Sequence, residues 1–346
     1  KQDVHIKSDG TCMPLVTAWL AMTNTLGPKA FTVVVDCFCV HTILNLFIQS
    51  REKCCESIRC LPKNSSQSHG FTKCSMKELC PYLRRTEATL KASLLKMLLR
   101  FIRSLIRIPG FLLMSLVYVL ILIFLRLIWG KDLNRMHGVL LHFIRNVYRL
   151  MGIRVEVQGE LPDEPSIYMG NHRSYVDAVL VPAKHPVVFV ARSESKSWPI
   201  IGWGATLLGT IWVNRKDPSS RKNTREEVKS RLRDGLGIVI FPEGTTHTGP
   251  DLLEYRPGMF YISAEGGFPI TPIALEYKDP DIAWVGQSKF IPHAWKHFSK
   301  RHIDIKVSIG KTLKGSDGGE LLKEAHDWTA KEVLKLRKEW DSQASQ

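Results

Sequence analysis

Residues 237–246 read Gly-Ile-Val-Ile-Phe-Pro-Glu-Gly-Thr-Thr, a β-branched run that stops at a proline and opens into a turn of small and polar residues. Branched side chains suit a pleated, buried strand, and Pro with Gly close behind ends one. The same texture recurs on either side. A helical period at 221–232 precedes this strand, itself read as 238–241, and further strand-like runs stand at 154–157, 166–169, 187–191, 210–213, 270–276 and 303–309. A long helical pattern at 319–340 closes the chain. Short strands interleaved with helices are the mark of an α/β layered architecture, so one such domain is expected over 152–346.

Upstream of Gly152 the pattern changes. From 90 to 108 the apolar residues recur at helical spacing, and Lys96, Arg100, Arg103 and Arg107 form one basic stripe opposite Leu94, Leu95, Leu98, Ile102 and Leu105. Such a stripe suits a helix lying on an anionic membrane surface. Residues 108–125 then run without a charge between Arg107 and Arg126, with Trp129 just beyond, which makes this the best membrane candidate in the chain. A second amphipathic helix is predicted over 133–151, with Arg135, His142, Arg145 and Arg149 opposite Met136, Leu140, Phe143, Ile144 and Val147. Residues 89–151 are therefore read as membrane-associated helices, integral through 108–125. They form either a spanning helix plus a surface helix or a hairpin dipping into one leaflet, and basic residues on both flanks assign no orientation.

All eight cysteines lie in the first 80 residues. They include no Cys-x-x-Cys pair and have no His-x-x-x-His partner, so no metal site is expected. Residues 15–49 are apolar but interrupted by Gly27, Pro28, Lys29, Asp36 and His41, and 50–88 are polar; together, 1–88 read as a cysteine-containing extension of unknown role. Lys and Arg outnumber Asp and Glu by 48 to 33, which draws the chain to anionic surfaces. No helix-turn-helix, zinc-finger spacing or aromatic-basic RNA signature accompanies that charge. Lipid, not nucleic acid, is the expected partner.

Two constellations carry chemistry. Asn171-His172-Arg173-Ser174-Tyr175-Val176-Asp177 follows the strand at 166–169. If Ser174 caps a helix, Asp177 falls at its third position and His172 stays in the loop before it. A carboxylate on one imidazole nitrogen fixes the tautomer and leaves the other nitrogen to take a proton from a hydroxyl. The second is the turn Glu243-Gly244-Thr245-Thr246, whose amides and hydroxyls are suited to hold a phosphate or polarise a carbonyl. Between the two, strands deliver Arg192 and Arg215 at their ends, and guanidinium groups so placed grip phosphate bidentately.

The order and spacing of these blocks resemble the glycerophospholipid acyltransferase family, specifically its lysophosphatidate (1-acylglycerol-3-phosphate) acyltransferase branch. Its four blocks correspond here to His172 with Asp177, Gly209 through Arg215, Phe241 through Thr245, and Pro272 after a β-run. The resemblance spans roughly residues 100–315 and implies a layered domain with a central mixed sheet flanked by helices. It also implies transfer of a fatty acyl group from acyl-CoA or acyl carrier protein to a lysophospholipid hydroxyl, with no cofactor beyond the thioester. On this resemblance His172 is the general base and Asp177 orients it. Asn171, Arg192, Arg215, Glu243, Gly244, Thr245 and Thr246 bind substrate, and Pro272 shapes the acyl site. The chain departs from the family at Thr246, where many members have Arg; Arg256 is a candidate to supply that charge.

Other enzyme classes lack their residues. No Gly-x-Ser-x-Gly elbow supports a serine hydrolase, and no Gly-rich loop ending in Lys-Ser or Lys-Thr supports a nucleotide phosphotransferase. A CoA-independent transacylase would use the same base. Glycerol 3-phosphate or another lysophospholipid remains an alternative acceptor, and a basic membrane-binding module is the non-enzyme alternative.

Overall fold

A computed structural model describes residues 76–344 apart from Lys131, Pro182 and Gln287. The readings made for residues 1–75, including all the cysteines but Cys80, lie outside the described residues. The chain enters on one continuous helix, α1 (Met76–Trp129), so the boundary expected at residue 88 falls inside a helix. Its 54 residues span about 80 Å at 1.5 Å per residue. Helix α2 (Leu133–Met151) turns back along it: Asn146 Nδ2 donates to the Tyr118 hydroxyl at 2.7 Å, and Phe143 packs on Phe111 and Tyr118.

All seven expected strands form, each within a residue or so of its predicted bounds: β1 (Ile153–Gln158), β2 (Ile167–Gly170), β3 (Val187–Arg192), β4 (Ile211–Val213), β5 (Gly237–Ile240), β6 (Ile270–Tyr277) and β7 (Ile303–Ile309). They make one sheet in the order β1-β7-β6-β2-β5-β3-β4. It is mixed, because β6 and β7 pair antiparallel while every other pair is parallel. Between the strands lie α3 (Ile201–Leu207), α4 (Pro218–Arg233), α5 (Gly258–Gly266) and α6 (Phe290–Phe298), and α7 (Gly318–Ala344) ends the chain. The short helices α3, α5 and α6 have no counterpart among the predicted elements.

Period-two alternation builds two cores. Ile167 and Met169 face the layer that holds Val228 and Leu232 of α4, Phe260 of α5 and Leu321 and Ala325 of α7. Tyr168 between them faces Val147 and Met151 of α2 and Ala294 and Phe298 of α6. A sheet covered on both faces is what buried parallel strands require.

The basic stripe of α1 does not face outward as a whole. Arg107 Nη1 donates to the carbonyls of Phe298 at 3.0 Å and Lys300 at 2.6 Å, and its Nη2 to that of Arg301 at 3.1 Å. Arg103 reaches the Ser299 carbonyl, Arg100 the Ser299 hydroxyl, and Ser104 the Trp295 carbonyl. These groups satisfy the unpaired carbonyls and the negative dipole end at the C-terminus of α6. Arg100, Arg103 and Arg107 therefore correct the sequence reading: they bind the end of α6, and Lys96 stands exposed with no hydrogen bond or ion pair among the described residues. The apolar side of α1 is what lies open, from Leu95 through Leu113 and Leu120 to Leu127. Residues 91–129 are long and apolar enough to cross a membrane by length and composition. Yet Ser115, Val119 and Leu122 are buried against the protein, so one side of the 108–125 run is already covered.

Candidate active site

Strand register assembles the site. Counting on from the pair Met169 and Ile240 sets Asn171 level with Pro242, and counting on from Phe189 and Val239 sets Arg192 at the same level. The loops that follow β2 and β5 and the end of β3 thus meet at one edge, the carboxyl ends of parallel strands, where open α/β sheets bind their ligands.

Asn171 pins the first loop. Its amide donates to the Leu275 carbonyl at 2.9 Å and accepts from the Leu275 N–H at 2.7 Å, fully buried. Both ends of the amide are thereby occupied, so Asn171, expected among the substrate-binding groups, holds the loop on β6 instead. His172 follows, with Nδ1 2.8 Å from Asp177 Oδ2. The same oxygen accepts the N–H groups of Arg173 at 2.5 Å and Ser174 at 2.8 Å. Asp177 sits in a single 3-10 turn, Tyr175–Val179, rather than the longer helix expected. The His172 side chain is 23% exposed, its ring stacks on Phe241 at 4.4 Å, and Nε2 has no hydrogen-bond partner among the described residues. An imidazole so held, partly exposed, presents one free nitrogen, as a general base requires.

Beside it, three guanidinium groups converge on Gly244. Arg192 Nη2 donates to its carbonyl at 2.6 Å, Arg215 Nη1 to the same oxygen, and Arg256 Nε fills the space a side chain at 244 would take. Burial and then the like charges of Arg192 and Arg256 push the Arg215 guanidinium down to about 10. None of the three forms an ion pair with a carboxylate among the described residues. Such concentrated positive charge, opposed by the Glu194 carboxylate only from beyond ion-pair distance, suits an anion by its electrostatics. Thr245 is exposed on the adjoining turn, and neither its amide nor its hydroxyl has a partner among the described residues.

A family model described as Acyltransferase matches residues 152–276. The lyso-ornithine lipid O-acyltransferase of Rhizobium meliloti is 30% identical over 223 residues, covering 59% of this chain and 76% of its own length. The chain belongs to the acyltransferase family. The 1-acyl-sn-glycerol-3-phosphate acyltransferase of Neisseria meningitidis is 28% identical over 198 residues, which is 52% of this chain and 76% of that protein. The crystal structure of the 1-acyl-sn-glycerophosphate acyltransferase PlsC from Thermotoga maritima shares the fold, with a TM-score of 0.54 at 20% identity over 69% of this chain and 98% of that one.

Not every expected site residue of this acyltransferase reaches the cleft. The Glu243 carboxylate is buried, and neither oxygen has a hydrogen-bond partner among the described residues. Burial pushes it up to about 8, opposed by the Arg173 charge and the nearby His172 amide. Its carboxylate therefore lies buried, unlike the exposed Thr245 two residues on. Thr246 donates its hydroxyl to the Trp284 carbonyl and ties the turn down. Pro272 lies earlier on β6, its carbonyl accepting the Gly310 N–H at 2.9 Å and its ring close to Gly310, outside the cluster around His172.

Sequence reading assigned no role to two residues that build the site. Arg173 is buried and donates to the carbonyls of His247, Pro250 and Asp251, clamping the second loop onto the first. Its place between His172 and Asp177 was the available signal. Tyr277 donates its hydroxyl to Asp177 Oδ1, and at 100 residues' separation nothing local marks it.

Proposed function

We propose that this acyltransferase moves a fatty acyl group from a thioester donor, acyl-CoA or acyl carrier protein, to the free hydroxyl of 1-acylglycerol 3-phosphate, with His172 as general base. The reading is carried by one juxtaposition: the His172–Asp177 contact at 2.8 Å stands beside the unpaired trio Arg192, Arg215 and Arg256. The acceptor hydroxyl gives its proton to His172 Nε2 as its oxygen attacks the thioester carbon. Asp177 stabilises the imidazolium that forms. The tetrahedral oxyanion accepts hydrogen bonds from the Thr245 amide and hydroxyl. Its collapse breaks the C–S bond, and the departing thiolate takes the proton back from Nε2. No acyl-enzyme is required.

The arginine trio favours a phosphate monoester, which brings two charges and three oxygens. Relatives named for lyso-ornithine lipid supply a second reading, in which the trio would hold the ornithine carboxylate while the ornithine amine meets three like charges. Both lipid substrates reside in a bilayer, and the exposed apolar face of α1 supplies the membrane contact. That contact is an embedded face in one leaflet, because the opposite face of 100–122 packs on α2, α3 and α6.

The test is an acceptor panel of lysophosphatidate, glycerol 3-phosphate, lysophosphatidylcholine and lyso-ornithine lipid, each with acyl-CoA and with acyl carrier protein donors. Lysophosphatidate should be acylated fastest, and Arg215→Ala should raise its KM more than it lowers kcat. His172→Ala should lower kcat by at least about 100-fold with unchanged circular dichroism and vesicle binding. A wild-type rate in His172→Ala overturns the mechanism, and a preference for lyso-ornithine lipid reassigns the acceptor.

A further inference from the structure

Asp177 is completely buried, and its two oxygens are served unequally. Oδ2 accepts from the Arg173 N–H, the Ser174 N–H and His172 Nδ1, whereas Oδ1 accepts from the Tyr277 hydroxyl alone. Tyr277 is the last residue of β6, locked opposite Ile305 in the antiparallel pair with β7. Burial, followed by the Asp177 charge, pushes its phenol well above the usual range, so it remains a donor at any working pH. The other titratable groups facing this pocket are Tyr148 of α2, Tyr175 of the 3-10 turn, and Glu243 and Arg173 of the two loops. Tyr148 and Tyr175 hydrogen-bond elsewhere, to the Val179 carbonyl and to His293. None of them replaces the bond to Oδ1.

We infer that Tyr277 is a positioning residue for catalysis, whose hydroxyl holds the Asp177 carboxylate in the plane that aims His172 Nε2 at the acceptor. The inference rests on the His172–Asp177 reading above. Hydrogen bonds to a carboxylate favour its charged form, and a buried acceptor stripped of its only donor either protonates or turns toward another partner. Without the phenol, the His172–Asp177 pair takes up its proton more readily, and its apparent titration as a unit moves to higher pH.

Tyr277→Phe keeps the ring in the core and removes one oxygen. The expected result is a kcat lower by about tenfold, the worth of one charge-assisted hydrogen bond, with KM for the acceptor unchanged. The acid limb of the kcat/KM pH profile should shift upward. In an Asp177→Asn background the same substitution should cost less than about twofold, since the two groups act as one. Site-specific difluorotyrosine at 277 is a stronger donor that preserves the shape, so it should move the acid limb downward; it also keeps the test decisive if the Phe variant folds poorly. An unshifted acid limb in Tyr277→Phe or in the difluorotyrosine protein, or costs that add in the double variant, overturns the inference. Full activity in His172→Ala would instead overturn the dyad itself, so the two failures are distinguishable.

Discussion

Glu243 occupies an environment opposed to its chemistry: a carboxyl without hydrogen bonds beneath a turn, its ordinary value of 4.5 raised to about 8. The folded protein therefore keeps a proton that the unfolded chain releases, and stability must fall as pH rises between those two values. Glu243→Gln mimics the protonated form and lacks this titration. Its melting temperature should gain on the wild type from about pH 5 to about pH 8 and stay level above; parallel melting curves across that range would count against a neutral Glu243. Gly244 is constrained differently. Its φ is +74°, and a Cβ there would stand 2.6 Å from Arg256 Nε and 2.9 Å from Arg215 Nη1. Gly244→Ala should displace both guanidinium groups and raise the acceptor KM while His172 keeps its contact with Asp177; an unchanged KM would show that the trio does not bind the headgroup. At this scale His172, Asp177, Arg192 and Arg215 were legible, because five-residue spacing and strand ends are local properties. The inward turn of Glu243, the bracket of Asn171 on Leu275 and the reach of Arg173 were not, because each depends on what a neighbouring strand presents.

Helical periodicity identified which residues of α1 share a face, and it did so correctly. What that face meets is a different question. A guanidinium row fits lipid phosphates and helix-end carbonyls equally well, and in the fold Arg100, Arg103 and Arg107 meet the end of α6. Arg107→Ala removes bonds to three carbonyls and should lower the melting temperature by several degrees, whereas Lys96→Ala, on an exposed position, should change it little. Equal effects from both would return the stripe to the solvent or the lipid surface. The helices missed at Ile201–Leu207, Gly258–Gly266 and Phe290–Phe298 have seven to nine residues. Segments that short, beginning at or containing Gly and Pro, hold their shape through packing more than through propensity.

At the level of the whole molecule, the open side of α1 is joined by Trp203 and Ile201 of α3 and Ile291 and Phe290 of α6, with Ile291 71% and Trp203 56% exposed. α3 meets α1 at the buried Val119 and α6 meets it at Phe101, so exposed apolar residues of all three helices stand close along α1. Apolar contact resists salt, while attraction by the net charge of +15 is screened within about 8 Å at physiological ionic strength. Binding to anionic vesicles should therefore weaken but persist in 1 M salt, and the double substitution Trp203→Glu with Ile291→Glu should reduce it further at every salt concentration. Complete release of the wild type by salt would mean that charge alone holds it. From its own residues the chain determined seven strands, the two long helices flanking the sheet at 218–233 and 318–344, and the placing of His172 and Asp177 in one turn, since strand alternation, helical period and short-range spacing are written within a few neighbouring positions. Only the tertiary structure decided that Tyr277 backs Asp177, that Arg256 completes the trio on Gly244 and that the arginines of α1 serve α6. Tyr277 with Asp177, and the α1 arginines with α6, join residues far apart in sequence, and Arg256 meets Arg192 and Arg215 only because the sheet sets strand ends side by side, which no local pattern encodes.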